Sequence, residues 1–357
     1  MTPTPSTSQN TRIALSDLDP EEIASTVGLK AYQGSQLFQW IHQKRVFEFS
    51  QMSNLAKPLR QELEQGFTAS RLNLRKVSES PESRTKKILF ALEDGEVVES
   101  VSIPDRDRMT FCLSTQVGCA VKCSFCATGL SGFSRNLSPG EIVEQALYLL
   151  REQDLGESSP NIVFMGMGEP FRNYDGTIKA IRLLMHKHGL GIGARRITVS
   201  TVGEVDGIER FTEEDWQVRL SISLHAANDT LRNELVPLNR RFNIARLMNA
   251  VQSYTATTGR QVTFEWALLE GVNDSDRDAA ELVGLIQGMK ATVNLIPYNP
   301  VMGVEYRAPS LRVCETFRKH LDKSGIKATL RAERGRDIDA ACGQLRRRHL
   351  DADSVTP

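Results

Sequence analysis

Short apolar runs typical of buried strands alternate with helical patterns from about residue 108 onward. Helices are predicted between most of these strands, for example over residues 141–151 and 279–289. Strands that are apolar along their whole length and alternate with helices form parallel sheets. The sequence therefore predicts an α/β fold, a partial (β/α)6 barrel whose active site lies where the strands end. The strand-like runs cover residues 109–113, 162–165, 197–200, 218–224, 262–266, 292–296 and 328–331.

The six cysteines are unevenly distributed, and four of them, from Cys112 to Cys126, fall within fifteen residues. A secreted disulfide scaffold would be short and rich in cysteine throughout, so this distribution favours a metal site in a cytosolic protein. Cys119, Cys123 and Cys126 follow the first barrel strand with the spacing CxxxCxxC. Three thiolates can hold a cubane 4Fe-4S cluster and leave one iron open to a chelating ligand such as S-adenosylmethionine.

A zinc site is the alternative for these cysteines. Structural zinc is held by four closed ligands, and Cys112 would have to be the fourth. The aromatic Phe125 just before the third cysteine, and the position of the motif after the first strand, favour the iron–sulfur cluster. In this motif the chain resembles the radical S-adenosylmethionine superfamily.

Polar residues and glycines follow the later strands, at the mouth of the barrel, where small-molecule sites are built. The segment Met-Gly-Met-Gly-Glu-Pro after the second strand resembles the superfamily segment that holds the amino group of the methionine. Glycine lets a ligand approach the backbone closely. Taken alone, His225 would be interpreted as a hydrogen-bonded core histidine. The candidate S-adenosylmethionine contacts are Gly168, Glu169, Ser200, Ser223, Leu224, His225 and Asn299.

Further segments, in order along the chain, closely resemble the RlmN/Cfr family of RNA adenine methyltransferases. The likeness runs from about residue 14 to residue 349, nearly the whole chain. The segments are Arg-Arg-Ile-Thr-Val-Ser-Thr from Arg195, Ser-Leu-His-Ala from Ser223, Val-Asn-Leu-Ile-Pro from Val293, and Arg-Gly-Arg-Asp-Ile-Asp-Ala-Ala-Cys-Gly-Gln-Leu from Arg334.

The resemblance implies a radical methyltransferase that acts on carbon 2 of an adenine in 23S rRNA and of the adenine 3′ of the anticodon in tRNAs. It implies one 4Fe-4S cluster and two molecules of S-adenosylmethionine per turnover. The first methylates Cys342, and the second is cleaved to a 5′-deoxyadenosyl radical that takes a hydrogen from the S-methyl group. The resulting methylene radical joins the adenine in a covalent protein–RNA adduct, which Cys112 resolves as a disulfide forms. Glu99 matches the proton acceptor of the family, and an electron donor such as flavodoxin or ferredoxin is expected.

Two other functions stay open. One is methylation of carbon 8 of the same ribosomal adenine, as in the Cfr type, although the complete N-terminal segment favours carbon 2. The other is a zinc-stapled RNA-binding protein without catalysis. Arg336 stands where the family usually has an acid, and residues 305–309 depart from the family's Arg/Ser-rich loop. Cys314 lies in a helical stretch and is expected in the core.

Five segments are predicted along the chain: a disordered leader (1–13), a helical RNA-binding accessory domain (14–80), a β-hairpin linker (81–107), the barrel with the C-terminal catalytic cysteine (108–349) and a tail (350–357). Asp94-Gly95 between two strand-like runs predicts the hairpin. Residues 57–87 hold eight basic and four acidic residues, and residues 327–349 hold seven and three. Each segment thus has four more basic than acidic residues, and these basic side chains could contact RNA phosphates. Any single one of them is explained equally well as part of a solvated helix face.

The overall charge favours no class of partner, because 44 basic residues balance 44 acidic ones. The longest uncharged run, residues 291–304, contains two prolines, and a membrane-spanning helix needs about 20 apolar residues. The N-terminal sequence lacks the basic and apolar regions of a secretory signal. A cytoplasmic protein, monomeric and without a membrane partner, is therefore expected.

Overall fold

A ten-stranded mixed sheet forms the centre of the molecule in the computed structural model, which describes residues 12–106, 108–153, 158–332 and 334–345. The sheet order is β14-β13-β12-β11-β10-β9-β6-β5-β4-β3, and the pairs β1-β2 and β7-β8 form two small sheets. The strands are β1 (Ile13–Ala14), β2 (Phe67–Thr68), β3 (Asn73–Glu79), β4 (Lys86–Ala91), β5 (Val97–Asp105), β6 (Arg108–Cys112), β7 (Gln116–Gly118), β8 (Phe133–Asn136), β9 (Asn161–Phe164), β10 (Ile197–Thr201), β11 (Arg219–Ser223), β12 (Val262–Leu268), β13 (Ala291–Pro297) and β14 (Ala328–Leu330).

Helices connect the parallel strands and supply the N-terminal segment. In the part of the chain that the structure describes they are α1 (Pro20–Val27), α2 (Ala31–Phe38), α3 (Lys57–Gly66), α4 (Ala127–Leu130), α5 (Pro139–Arg151), α6 (Tyr174–Met185), α7 (Val205–Thr212), α8 (Asp229–Leu235), α9 (Ile244–Thr258), α10 (Asp276–Ile286) and α11 (Leu311–Lys323). None of these described helices has both the length and the apolar character that a membrane crossing requires.

The predicted parallel α/β architecture is confirmed. Seven strands pair in parallel, each with the next one in the series β6, β9, β10, β11, β12, β13 and β14. Their central residues, such as Ile162, Val199 and Phe264, are buried, as expected for a sheet covered on its faces. All carboxyl ends of these strands therefore meet at one edge, which is where the candidate site lies.

The predicted hairpin is present, but it continues the main sheet. Strands β4 and β5 pair antiparallel around Asp94-Gly95, where Gly95 has a positive φ of 83°. Strand β5 also pairs antiparallel with β6, and β3 pairs with β4. Residues 73–79, which the sequence analysis assigned to the helical accessory domain, are thus a sheet strand. Its exposed charged residues suit an edge strand, which explains the absence of a clear apolar alternation.

The N-terminal segment contains the helices that were predicted for residues 14–80. Asp19 caps α1 by accepting from the N–H groups of Glu21 and Glu22, and Pro20 occupies the first turn. Leu37 and Ile41, four residues apart, are buried. The division into domains stays a prediction, and most of the leader (residues 1–11), the whole tail and the Arg346-Arg347-Arg348 run lie outside the described residues.

A fully buried carboxylate, Glu144 on α5, joins the N-terminal segment to the barrel. It accepts hydrogen bonds from the hydroxyl groups of Ser16 and Ser70. It also accepts from the backbone N–H groups of Arg71 and Leu72, both at 2.8 Å. Because all these donors belong to the N-terminal segment, Glu144 holds the two parts together.

We expect Glu144→Ala to lower the free energy of unfolding by about 3 kcal/mol, since two buried and two half-buried donors lose their acceptor. The measurement is chemical denaturation followed by circular dichroism. The control is Glu209→Ala, which removes an exposed glutamate on α7 and should change stability by less than about 0.5 kcal/mol. Equal stability of the two variants would contradict this role of Glu144.

Candidate functional site

A pocket opens at the carboxyl edge of the parallel strands and contains most of the predicted site residues. It lies between the cysteine loop, the ends of β9 to β13 and the C-terminal segment. Predicted residues that line it are Cys119, Cys123, Cys126, Gly168, Glu169, Ser200, Ser223, His225, Asn299 and Cys342. Cys112, Leu224 and Glu99 are not part of this lining.

The cysteine loop is held in place by short local elements. Strand β7 lies between β6 and Cys119, the first cysteine of the motif. The motif therefore does not follow directly on the barrel strand, contrary to the prediction. The N–H of Cys119 donates to the carbonyl of Gly132 (2.9 Å), and the N–H of Cys126 donates to the carbonyl of Cys123 (3.2 Å). A Cβ atom on Gly118 would lie 1.9 Å from the carbonyl oxygen of Gly132, so only glycine allows this approach.

The three thiols of the loop influence one another. Burial, together with the charges of Glu169 and Cys126, raises the pKa of Cys119 to about 12. Burial also raises the pKa of Cys123 well above its ordinary value, as do the charges of Cys126 and Cys119, while the buried cation of Arg232 opposes these effects. Three thiolates so close together need a cation between them.

This donor set fits an iron–sulfur cluster. Among the described residues, no group of three or more His, Cys, Asp or Glu side chains is arranged around a single metal ion. A cubane cluster takes each thiolate on a different iron, so its ligands surround the cluster and need not converge on one point. The three sulfur atoms line one pocket without a fourth protein ligand in the motif, which suits a cluster with one open iron.

The Gly168-Glu169 turn brings a fixed carboxylate to the pocket. Glu169 accepts from the N–H of Phe171 (3.0 Å) and from the N–H of Val202 (2.9 Å). Burial raises the pKa of Glu169 to about 7, against the effect of these hydrogen bonds. Gly168 has a φ of 105°, and a Cβ atom there would lie 2.6 Å from that of Gln116. Glycine is therefore required at this strand end.

Polar side chains from β10 and β11 line the next part of the pocket. The hydroxyl groups of Ser200 and Ser223 lie 3.3 Å apart. His225, with a φ of 61°, accepts the N–H of Ala267 on Nδ1 (3.0 Å). Burial lowers the pKa of His225 to about 3, so the ring is neutral. It is both a hydrogen-bonded histidine and part of the pocket wall.

Leu224 differs from its neighbours. Its side chain is fully buried in the core and does not line the pocket. Its backbone N–H donates to the carbonyl of Glu265, and its carbonyl accepts from Nε of the buried Arg232. Leu224 therefore connects strand ends, and a contact with a cofactor would have to involve its backbone.

Glu265 on β12 is a pocket residue that the sequence analysis missed. It is 4% exposed, and Oε1 accepts from Ser221 (2.8 Å) and from Asn294 (3.0 Å). Its second oxygen, Oε2, has no hydrogen-bond partner among the described residues. The available signal was a lone carboxylate inside the apolar run 262–266.

The C-terminal segment brings Cys342 to the pocket wall. The amide nitrogen of Asn299 donates to the carbonyl of Cys342 (3.3 Å), and Oδ1 of Asn299 is buried without a partner in the described chain. Cys342 is exposed, and it lines the pocket. The N–H of Ala127 donates to the carbonyl of Gly343 (2.8 Å), which ties this segment to the cysteine loop.

Cys112 is the last residue of β6, and its side chain is buried. Burial, together with the charge of Cys342, raises the pKa of Cys112 to about 12, so the two thiols are close enough for their charges to interact. All six cysteines lie in the described part of the chain, and none of them forms a disulfide there. The expected disulfide is therefore not formed in this state.

Glu99 lies in a neighbouring pocket. Its carboxylate forms a buried ion pair with Lys87 (3.2 Å), and the two residues line a cavity together with residues 337–339 of the C-terminal segment. Its backbone N–H faces the sulfur of Met167, two residues before Glu169. The structure does not bring this carboxylate to the residues of the main pocket.

The first basic patch is only partly available for RNA. Lys87 pairs with Glu99, and Arg71 lies 3.4 Å from Asp17. Arg75 and Lys76 on the edge strand β3 are exposed. Contact of this patch with RNA remains a prediction.

Two family models match the chain. The radical SAM superfamily matches residues 113–283, which include the cysteine loop and the ends of β9 to β12. The ribosomal RNA large subunit methyltransferase N-terminal domain matches residues 13–68, the segment that contains α1, α2 and α3.

Similar proteins cover nearly the full length of the chain. A probable dual-specificity RNA methyltransferase RlmN from Thermotoga maritima is 46% identical over 95% of this chain and 99% of its own. A probable RlmN from Desulfitobacterium hafniense is 45% identical over 94% and 97%. The crystal structure of a radical SAM methyltransferase from Sphaerobacter thermophilus is 44% identical and superposes with a TM-score of 0.90, over 93% of this chain and 99% of that one.

Proposed function

Since the chain belongs to the RlmN family of radical S-adenosylmethionine RNA methyltransferases, we propose that it methylates carbon 2 of an adenine in 23S rRNA and of the adenine 3′ of the anticodon in tRNAs. The observation that supports this most is the pocket that joins Cys119, Cys123 and Cys126 to Glu169 and Cys342. It combines a sulfur donor set with a nucleophilic thiol in one cavity.

The cofactors of the proposal have matching residues. Cys119, Cys123 and Cys126 would hold the 4Fe-4S cluster, and Glu169, Ser200, Ser223, His225 and Asn299 offer polar groups to S-adenosylmethionine. When bound, the cluster supplies the electron that cleaves S-adenosylmethionine to a 5′-deoxyadenosyl radical. Two molecules of S-adenosylmethionine are consumed per turnover in this proposal, one as methyl donor to Cys342.

Cys342 and Cys112 have different roles in the proposed reaction. Cys342, exposed toward the pocket, takes a methyl group on its sulfur and carries it to the adenine. The carbon then bridges the cysteine sulfur and the base, so RNA stays attached to the protein. Cys112, buried beside Cys342, attacks the sulfur and frees the methylated RNA as a disulfide forms. A reductant must reopen this disulfide before the next turnover.

Glu99 is proposed as the proton acceptor. In the structure its carboxylate pairs with Lys87 and lines a cavity that also contains residues 337–339 of the C-terminal segment. Its position beside Met167, near the Gly168-Glu169 turn, is at the correct edge of the sheet. Proton transfer by Glu99 therefore requires the adenine or residues 337–339 to lie differently when RNA is bound.

The test of the function is mass spectrometry of nucleosides from a 23S rRNA fragment and from tRNA after incubation with the reconstituted enzyme. We expect 2-methyladenosine in both RNAs. 8-Methyladenosine alone would assign the enzyme to the carbon 8 type. Modification of only one RNA would restrict the substrate proposal to that RNA.

Asn299 gives a test of the cofactor pocket. Its buried Oδ1 has no partner within the described residues, so it is free to accept from S-adenosylmethionine. We expect Asn299→Ala to weaken binding of S-adenosylmethionine about tenfold, the effect of one lost hydrogen bond. The measurement is calorimetric titration of the cluster-loaded protein. Asn249→Ala, on the exposed face of α9, is the control, and an unchanged Kd for the Asn299 variant would contradict the assignment.

The proposal also covers the oligomeric state, the cellular compartment, the electron donor and the kind of RNA site. We propose that the enzyme acts as a monomer in the cytoplasm, where the RNA substrates and thiol reductants are found. The electron donor would be a small redox protein such as flavodoxin or ferredoxin. The adenine has to be unstacked to reach the pocket, so an RNA loop or an opened junction is the expected site.

A further inference from the structure

Glu265 is a buried acidic residue of the main pocket, and neither the proposed cluster nor the proposed reaction of the two cysteines involves it. It lies on β12 in register with Ser223 on β11, and both residues line the pocket. The hydroxyl of Ser223 lies next to that of Ser200 on β10. Three neighbouring strands thus bring polar side chains to one wall, and a few such groups fix the orientation of a small molecule in its site.

The two oxygens of the Glu265 carboxyl group have different surroundings. Oε1 accepts from the hydroxyl of Ser221 (2.8 Å) and from the amide nitrogen of Asn294 (3.0 Å), which fixes the orientation of the group. Oε2 has no partner among the described residues. A buried polar atom without a partner is unfavourable, so a ligand that bonds to Oε2 would remove this cost.

Two more polar atoms of the same pocket are in this condition. Oδ1 of Asn299 and the hydroxyl of Tyr298 are buried and lack a partner in the described part of the chain. Both residues come directly after β13, the strand that pairs with β12. Buried polar atoms are rarely left unbonded. Three of them in one pocket therefore indicate a polar ligand.

The place of Glu265 in the sheet favours one end of S-adenosylmethionine. Strands β10 and β11 lie between β12 and β9, the strand that precedes Glu169. Neighbouring strands are about 4.8 Å apart, so Glu265 cannot share the amino group that Glu169 is expected to bind. The adenosyl part of the same molecule is the part that remains for Glu265.

The adenosyl part offers the ribose hydroxyl groups and the amino group of the adenine. Burial raises the pKa of Glu265, against the effect of the Arg331 charge. A hydroxyl group both donates and accepts, so it can bond to Oε2 in either protonation state, whereas an amino group suits only the carboxylate. A carboxylate beside a ribose hydroxyl is also the arrangement by which dinucleotide-binding sites hold their ligand.

We propose that Glu265 binds the ribose of S-adenosylmethionine, with one ribose hydroxyl hydrogen-bonded to Oε2. This inference rests on the cofactor of the proposed function. Glu265→Gln is the variant that tests it, because the amide has the same shape and its oxygen can keep the bonds from Ser221 and Asn294. The NH2 group, which only donates, then takes the place of Oε2.

The experiment is calorimetric titration of the cluster-loaded protein with S-adenosylhomocysteine, which carries the same ribose and has no methyl group to transfer. We expect the unchanged protein to bind the 2′-deoxy or the 3′-deoxy form of this ligand about tenfold more weakly. Glu265→Gln should bind the complete ligand about fivefold more weakly and discriminate against that deoxy form only about twofold. Glu270→Gln, at an exposed glutamate just after β12, is the matched control and should behave like the unchanged protein.

Unchanged binding of S-adenosylhomocysteine by Glu265→Gln, or tenfold discrimination retained in that variant, would overturn the inference. S-inosylhomocysteine, in which an oxygen replaces the amino group of the adenine, distinguishes the base from the ribose. If Glu265→Gln loses discrimination against this ligand instead, the carboxyl group contacts the adenine and the ribose assignment is wrong.

The deoxy ligands test the unchanged protein even if Glu265→Gln does not fold, since equal binding of all three ribose forms would overturn the inference. The RNA methylation assay separates this result from the proposed function. If the binding data are as expected and no methylated RNA is formed, the proposed function fails and the role of Glu265 in binding the ribose is retained.

Discussion

Cys112→Ala is expected to turn the enzyme into a covalent trap for its RNA. Cys342 can still accept a methyl group and join it to the adenine, because its own sulfur and the pocket are unchanged. The buried thiol next to it is missing, so nothing attacks the Cys342 sulfur to release the product. Release of methylated RNA should fall by more than about a hundredfold.

The trap is measured on a denaturing gel, where labelled RNA should migrate with the protein and return to its free position after protease treatment. Cys342→Ala should form no adduct, and neither should the variant that lacks both cysteines. Cys314→Ala is the matched control, because this cysteine is buried in α11, away from the pocket, and should release RNA normally. Normal release from the Cys112 variant would show that the roles of the two cysteines are wrong.

Loss of one cysteine of the loop should remove the cluster and all RNA methylation. Cys123 is buried, and the charges of Cys126, Cys119 and Arg232 act on it. We expect unchanged protein, purified without oxygen, to contain about four irons per chain and to absorb near 400 nm. Cys123→Ala should lose most of the iron and lower the methylation rate by more than about a thousandfold.

The controls for this prediction distinguish loss of the cluster from a general loss of the folded structure. Cys314→Ala should keep its iron, and Cys342→Ala should keep its iron while losing methylation. A colourless unchanged protein with one zinc per chain would remove the radical mechanism and favour the RNA-binding alternative. A Cys123 variant that retains four irons would show that a different residue holds the cluster.

Much of this arrangement was predictable, because parallel strands place their ends together. Runs such as 197–200 and 262–266 showed where the strands end, and the polar residues just after them had to meet at one edge. The cysteine spacing and the glycines of the Gly168 segment are local signals, so they could be recognised without knowing the fold. Ser200, Ser223 and Asn299 indeed line one pocket.

What could not be predicted depends on distant contacts. Glu265 is held by Ser221 and Asn294, which are far away in the chain, and it belongs to no local motif. The side chain of Leu224 turns into the core because successive residues at a strand end point to opposite sides. Strand β3 was missed because an exposed edge strand has no buried face to impose a pattern.

The position of Cys342 depends on the conformation of the cysteine loop, because two hydrogen bonds join the C-terminal segment to that loop. The hydroxyl of Thr128 donates to the carbonyl of Leu345, and the N–H of Ala127 to the carbonyl of Gly343. Both donors belong to the short helix that begins just after Cys126. A substitution that displaces this helix should therefore also displace Cys342 from the pocket wall.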